Sequence, residues 1–304
     1  MLPREPPAAL VLPSALPAAP VFQSPGAAYT LMIRVESHPD PTLTQRKGGY
    51  TMAETIQEPQ EAYTDSQYLM DTAGFLHTLS SILFLELTQT QIDALKDLDW
   101  TQMATDDMSP EMASGYKGIG RYLARSGANV RQDLAVEYAR IFLGAGVSEE
   151  QLAVPFESVF TSPEGIMMQD SRDDVVRVFR SQGMAVDKDL NVPEDHISFE
   201  LDFLAFMAER TAAALDAQDG SATKDSADPA TATIQADATN PAAATNQATD
   251  LISVQVSFIE NHLLNWIDPL MERVETCALS PFYPSVMKVL KSTLTEYKAA
   301  LQEM

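Results

Sequence analysis

Tyr68-Leu69-Met70-Asp71-Thr72-Ala73-Gly74-Phe75-Leu76-His77-Thr78-Leu79-Ser80-Ser81-Ile82-Leu83 places its large apolar residues three and four positions apart. That period gathers Tyr68, Leu69, Phe75, Leu76, Leu79, Ile82, Leu83 and, one turn on, Leu87 along one wide face of a helix starting near Tyr63. So broad an apolar face has to be covered by other elements. The downstream chain supplies them. Thr88-Gln89-Thr90-Gln91 has the form of a capping box, and Ser109-Pro110 sets a capping hydroxyl before a proline at the first helical position. Helices are expected after both. Leu134, Tyr138, Ile141 and Phe142 line up over 130–143, where Gly144-Ala145-Gly146 stops the pattern, and a shorter helix is expected over 173–182.

Beyond Val192-Pro193-Glu194-Asp195-His196 the pattern changes. Ile197, Leu201 and Leu204 alternate with Phe199, Phe203 and Phe206, so the helix is apolar on both sides of the wheel and belongs at the centre of a bundle. A further helix over 251–274 carries Val254, Phe258, Leu263, Trp266, Ile267 and Leu270, and Ser280-Pro281 caps a last one through Leu301. Strand signals are nearly absent, with no long alternating run and no Asn-Gly or Asp-Gly hairpin. No fixed repeat period occurs, which disfavours a solenoid. The fold class is therefore all-α, a single helical bundle.

Two segments stand outside it. Residues 1–60 are Pro-rich and aperiodic. Leu10 to Val21 is interrupted by Pro13, Pro17 and Pro20 with only Arg4 before it, so a secretory signal is poorly formed. Met52-Ala53-Glu54-Thr55 reads like an ordinary protein start, and residues 1–51 are expected to be a disordered extension or a stretch preceding the true start. Residues 216–250 hold 11 Ala, 6 Asp and 6 Thr in 35 positions with Ile234 the one branched aliphatic. So little apolar surface cannot offset an ordering entropy of about 1 to 2 kcal/mol per residue, and a disordered inserted linker is expected. The bundle then comprises 61–215 and 251–304.

The 304 residues carry 20 Lys and Arg against 43 Asp and Glu, a formal charge of -23. Such a surface repels phosphate backbones and anionic lipid, so nucleic acid is excluded as a natural partner and a cationic peptide favoured. The single cysteine, Cys277, rules out an intramolecular disulfide and thiolate-rich zinc sites, and fits a reducing cytoplasm. No run of about 18 apolar residues is present to span a membrane.

Catalytic logic is equally sparse. His38, His77, His196 and His262 share no metal-ligand spacing; His196 beside Asp195 and His262 beside Glu260 could converge in space, but histidines on apolar helices are usually core or rim residues. Gly115-Tyr116-Lys117-Gly118-Ile119-Gly120 lacks the phosphate-cradling form and reads as a flexible helix segment. Phe156-Glu157-Ser158-Val159 is no nucleophile elbow. No metal, cofactor or catalytic residue is expected.

Three segments remain, in order: Tyr138-Ala139-Arg140-Ile141-Phe142-Leu143-Gly144, Val154-Pro155-Phe156-Glu157-Ser158-Val159-Phe160, and Pro193-Glu194-Asp195-His196-Ile197. Together they resemble the TorD/DmsD family of cytoplasmic maturation chaperones for molybdenum-containing redox enzymes. Phe258, His262-Leu263, Trp266 and Pro281-Phe282-Tyr283 look like that family's last two helices. The resemblance spans about 63–300 less the insertion. Ala145, Val154 and Val192 depart from the family's usual proline, proline and acidic residue, altering two loops and removing one carboxylate.

The resemblance implies a non-catalytic chaperone, monomer or homodimer, that binds the twin-arginine signal peptide or precursor of a molybdopterin-dependent oxidoreductase. Such a ligand calls for an apolar groove and for carboxylates that accept guanidinium groups in fork geometry. Tyr138, Ile141, Phe142, Phe156 and Phe160 are the apolar candidates implied, with Glu157 and Ser158 beside them and Asp195 with His196 as the polar corner. Asp195 is also expected to serve as a carboxylate at the start of the helix after it, and Ile141, Phe142 and Phe160 fit equally well as core residues. A helical adaptor binding a folded partner is the alternative; an enzyme would show a co-purifying metal or nucleotide.

Overall fold

Thr64 starts the first helix through a capping box that the apolar period does not reveal. Its hydroxyl accepts the Gln67 N–H while the Gln67 side chain accepts its own N–H. The computed structural model describes residues 33–35, 63–105, 108–148, 152–218 and 241–304. Helix α1 (Asp65–Phe84) is followed by α2 (Gln89–Asp97), capped by Thr88 as expected, the single turn α3 (Trp100–Met103), and α4 (Pro110–Arg125), capped by Ser109. Next come α5 (Val130–Phe142), α6 (Glu157–Thr161), α7 (Asp170–Ser181), α8 (Ile197–Gln218), α9 (Pro241–Phe258), α10 (Ile267–Cys277) and α11 (Phe282–Glu303). The fold is all-α, joined by one short ribbon in which β1 (Ile33–Val35) pairs antiparallel with β2 (Met184–Val186), Arg34 opposite Ala185.

Helix α8 is the axis. Ile197, Phe199, Leu201, Phe203, Leu204, Ala205, Met207 and Ala208 are all fully buried, as a helix apolar on both sides requires. Its most extensive neighbour is α1, with α9 on another side. Close approach to α1 is made by a reciprocal pair: the Ser80 hydroxyl donates to the Ser198 carbonyl and the Ser198 hydroxyl to the Ser80 carbonyl, both at 2.9 Å. Phe203 lies between Phe179 of α7 (ring centroids 4.8 Å apart) and Phe258 of α9 (4.6 Å).

Three expectations need correction. The glycine cluster of α4 is a packing surface and not a flexible segment: a Cβ on Gly115 would meet Val289 Cγ2 of α11 at 2.7 Å and the Ser285 carbonyl at 2.9 Å, and one on Gly120 would meet Trp100 Cβ at 2.7 Å. The helix expected over 251–274 is broken, because α9 passes into a π-helical turn at Ile259–Leu263 before α10 begins. The Ala/Asp/Thr-rich segment is narrower than its composition, since α8 continues to Gln218 and α9 begins at Pro241 with Ala248 buried. Residues 219–240, and 1–32 with 36–62 of the N-terminal extension, lie outside the described residues.

Two outcomes follow for the axis. Phe203→Ala removes a ring held between two others and should cost about 3 to 5 kcal/mol in denaturant unfolding; a cost under about 1 kcal/mol would deny α8 its central place. On the same helix Asp202 sits 3.0 Å from His77 Nδ1, with Glu209 3.7 Å from Nε2. Burial lowers the proton affinity of His77, but the two carboxylates outweigh it and raise its pKa from the ordinary 6.5 to about 9. A raised folded pKa means stabilisation that is complete below 6.5 and lost as pH climbs through 9. Thermal melts should therefore decline over that window, and His77→Gln should flatten the decline.

Candidate functional site

The second and third sequence segments meet as a short antiparallel contact. Phe156 bridges His196, the Ile197 N–H donates to the Pro155 carbonyl at 2.9 Å, and the Glu157 N–H donates to the Asp195 carbonyl at 3.0 Å. This places the first turn of α6 against the residue pair that precedes α8. Asp195 is fully buried, and its Oδ2 accepts the Ser158 N–H at 2.9 Å and the Ser158 hydroxyl at 2.5 Å. The carboxyl thus caps α6 and not, as expected, α8, because the bridge brings the free N–H groups of α6 to it. The α8 start is served by His196 instead, whose Nδ1 accepts the Ser198 N–H at 3.1 Å.

His196 lies among three rings, Phe156 at 5.0 Å and Phe84 and Phe199 at 5.7 Å, and burial pushes its pKa down from 6.5 to about 3. It is a neutral acceptor, not a cation. The remaining acids gather beside it. Glu157 Oε2 is 3.1 Å from His262 Nδ1; burial raises its proton affinity and His262 opposes that rise. Glu200 of α8 is fully buried with its carboxyl against that of Glu157 and the Trp266 side chain, and Asp195 Oδ1 has no hydrogen-bond partner. Burial, then the neighbouring Glu157 and Asp195 charges, push Glu200 well above the usual carboxylate range. Burial raises Asp195 too, against the pull of the Ser158 hydrogen bonds. Three carboxyls in so dry a place disfavour one another's ionisation, so the cluster holds protons more tightly than exposed carboxyls do.

The first segment joins from inside the core. Tyr138, Ile141 and Phe142 are buried, and the Tyr138 hydroxyl donates to the Phe84 carbonyl at 2.6 Å, fixing the end of α1 whose Phe84 ring rests on His196. On the outer side Phe156 and Phe160 are half-buried. Phe160 stacks on Trp266 at 5.4 Å, with the Arg273 guanidinium 4.5 Å from its centroid. His262 pairs with Glu157 rather than Glu260, which faces Lys298 at 3.3 Å. Among the described residues no group of three or more His, Cys, Asp or Glu is placed to hold a metal ion. Sequence reading missed Phe84 and Glu200. The available signal for Glu200 was a carboxylate in the first turn of a helix otherwise apolar all round.

The Asp195 cap can be tested by stability alone. Asp195→Ala strands the N–H and hydroxyl of Ser158 and should cost about 2 kcal/mol, whereas Asp195→Asn keeps an acceptor and should cost under about 1 kcal/mol, read by urea unfolding.

The family model described as nitrate reductase delta subunit matches residues 105–272, more than half of the chain. Proteins named Chaperone protein TorD are similar along most of the bundle. The Vibrio atlanticus protein is 23% identical over 217 residues, 70% of this chain and 86% of its own length. That of Vibrio cholerae is 23% identical over 231 residues, 74% of this chain and 90% of its own length, and that of Photobacterium profundum 23% over 214 residues, 70% and 85%. The matched span includes the α5 segment, the α6 contact with Asp195–His196, all of α8 and the π-helical turn with His262, and the chain belongs to this family of TorD-like chaperones.

Proposed function

We propose that this chain is a non-catalytic cytoplasmic maturation chaperone that binds the twin-arginine signal peptide of a molybdenum-containing oxidoreductase precursor while the cofactor is inserted. The observation that supports this reading most is the joining of three separated segments through Phe84, His196 and Phe156 beside a buried carboxyl cluster, in a chain of charge -23 related to TorD proteins. Phe156 and Phe160 offer the accessible apolar edge, and Tyr138, Ile141 and Phe142 hold it from within. Glu157, Ser158, Asp195 and His196 supply the polar end, with Asp195 as the acceptor for a guanidinium. No helix among the described residues is long and apolar enough to cross a membrane. The strong negative charge speeds encounter with a cationic peptide, more at low salt than at high.

Calorimetric titration with an Arg-Arg peptide carrying an apolar stretch, and with its Lys-Lys counterpart, tests the reading. The wild-type chain should prefer Arg-Arg, because an ammonium cannot pair in fork geometry. Asp195→Asn should weaken the Arg-Arg peptide by about 1.5 to 3 kcal/mol and the Lys-Lys peptide by less, a difference that a double-mutant cycle isolates. Equal losses would remove Asp195 from the site, and absence of binding by either peptide would remove the peptide reading altogether.

A further inference from the structure

Ile166, Met167 and Met168 stand in the loop between α6 and α7, 54%, 46% and 57% exposed, and none of them belongs to the hydrophobic core. Single exposed apolar residues are ordinary, but among the described residues this is the only run of three large ones. The loop that carries them is closed by its own bonds. The Thr161 and Ser171 hydroxyls lie 3.0 Å apart across its base, the Gly165 N–H donates to the Ser162 carbonyl at 3.2 Å, and the Gln169 amide donates to the Met167 carbonyl at 3.0 Å. Met168 is held at φ 65°, in the left-handed region that residues other than glycine rarely adopt. The triplet is thus presented on a loop already formed, which lowers the ordering entropy that a partner's arrival would cost.

The surroundings indicate the partner. The loop continues directly from α6, whose half-buried Phe156 and Phe160 form the accessible apolar edge. That helix is about 8 Å long, so an extended segment of about three residues runs from the edge to the loop. Around the triplet Glu164, Asp170 and Asp173 are exposed, and the cation nearest in sequence, Arg172, is taken by Glu194 at 2.6 Å and Asp173 at 3.0 Å. An apolar patch with a carboxylate rim suits a segment that is itself apolar and positively charged. A second copy suits it poorly, because a two-fold contact would set these carboxylates against their equals on chains of charge -23.

We propose that the Ile166-Met167-Met168 loop is the contact for the apolar stretch of the signal peptide, with Glu164, Asp170 and Asp173 as a rim that favours its cationic flank. The inference rests on the peptide-binding reading and gives the apolar part of that peptide a place of its own. Methionine side chains are unbranched and polarizable and repack against differently shaped partners. The loop therefore takes apolar stretches by composition and not by the order of their residues.

The test is calorimetric titration of the full chain with two Arg-Arg peptides, one carrying a Leu/Ala stretch and one with that stretch replaced by Ser. The wild type should bind the apolar peptide about tenfold or more tightly than the Ser peptide. Exchanging Leu for Val or Met within the stretch should change affinity by less than about threefold. The combined variant Ile166→Ser, Met167→Ser, Met168→Ser should lose about tenfold or more for the apolar peptide and keep its affinity for the Ser peptide, while its melting temperature stays within about 2 °C of the wild type because the three residues are exposed. Ile166→Leu, Met167→Leu, Met168→Leu should restore binding. Bound apolar peptide should also slow peroxide oxidation of Met167 and Met168, read by mass spectrometry, and not that of Met70, which is 49% exposed on α1. An unchanged affinity in the Ser variant, an equal loss for both peptides, or oxidation unaffected by peptide would overturn the inference while leaving the peptide reading in place. A dimer that the Ser variant dissolves without loss of peptide affinity would assign the loop to a second copy and overturn it too. Failure of the wild type to bind either peptide would overturn both.

Discussion

The constraint on which the rest of the molecule depends is that α8 has almost no side left for water. Its apolar residues run around the whole circumference, so α1, α9 and the segment carrying α6 and α7 have to enclose it. Burying each large side chain is worth about 1.5 to 3 kcal/mol, which makes the enclosure the main source of cohesion. It also sets a hard condition on every polar group that α8 carries, since a polar atom in that position must find its partner inside the protein or go without.

Most of those groups are satisfied by the helices that do the enclosing. Ser198 pairs with Ser80 of α1 and Asp202 with His77 of the same helix. Thr211 donates to the Met207 carbonyl and accepts from Gln255 of α9, whose carbonyl oxygen in turn receives the Tyr297 hydroxyl of α11. These links tie four helices into one arrangement and fix their rotation about α8. Glu200 meets no helix of that set; its carboxyl lies against Glu157 of α6, beside the π-helical turn whose His262 pairs with Glu157.

The helical class and the central position of α8 were legible because apolar spacing reports burial directly: a stripe for α1, a full circle for α8. The caps at Thr88 and Ser109 were legible for an equally local reason, a side chain bonding its own next turn. What escaped the sequence was long-range. Asp195 lies beside the start of α8, yet its hydrogen bonds go to Ser158, 37 residues away, and only the Phe156–His196 bridge decides this. The π-helical turn that aims His262 at Glu157 leaves no mark in an apolar pattern, which continues through it unbroken. The α4 glycines read as flexibility because sequence cannot show that α11 occupies the space beside Gly115 and Gly118 and Trp100 the space beside Gly120.

The acidity of the chain acts at two ranges. Its 43 carboxylates set a negative field that draws in any cationic chain, and at physiological salt this field is screened beyond about 8 Å, so it attracts without discriminating. Glu157, Asp195 and Glu200 add less to it than exposed carboxylates do, because burial raises the proton affinity of each. Where water is excluded screening is weak, and geometry decides which cation an acceptor group can pair with. A planar guanidinium with several N–H donors fits several converging acceptors better than a compact ammonium does. In the proposed peptide-binding role, encounter falls to the exposed carboxylates, and selection to the hydrogen-bond geometry that a buried acceptor demands before its desolvation is offset.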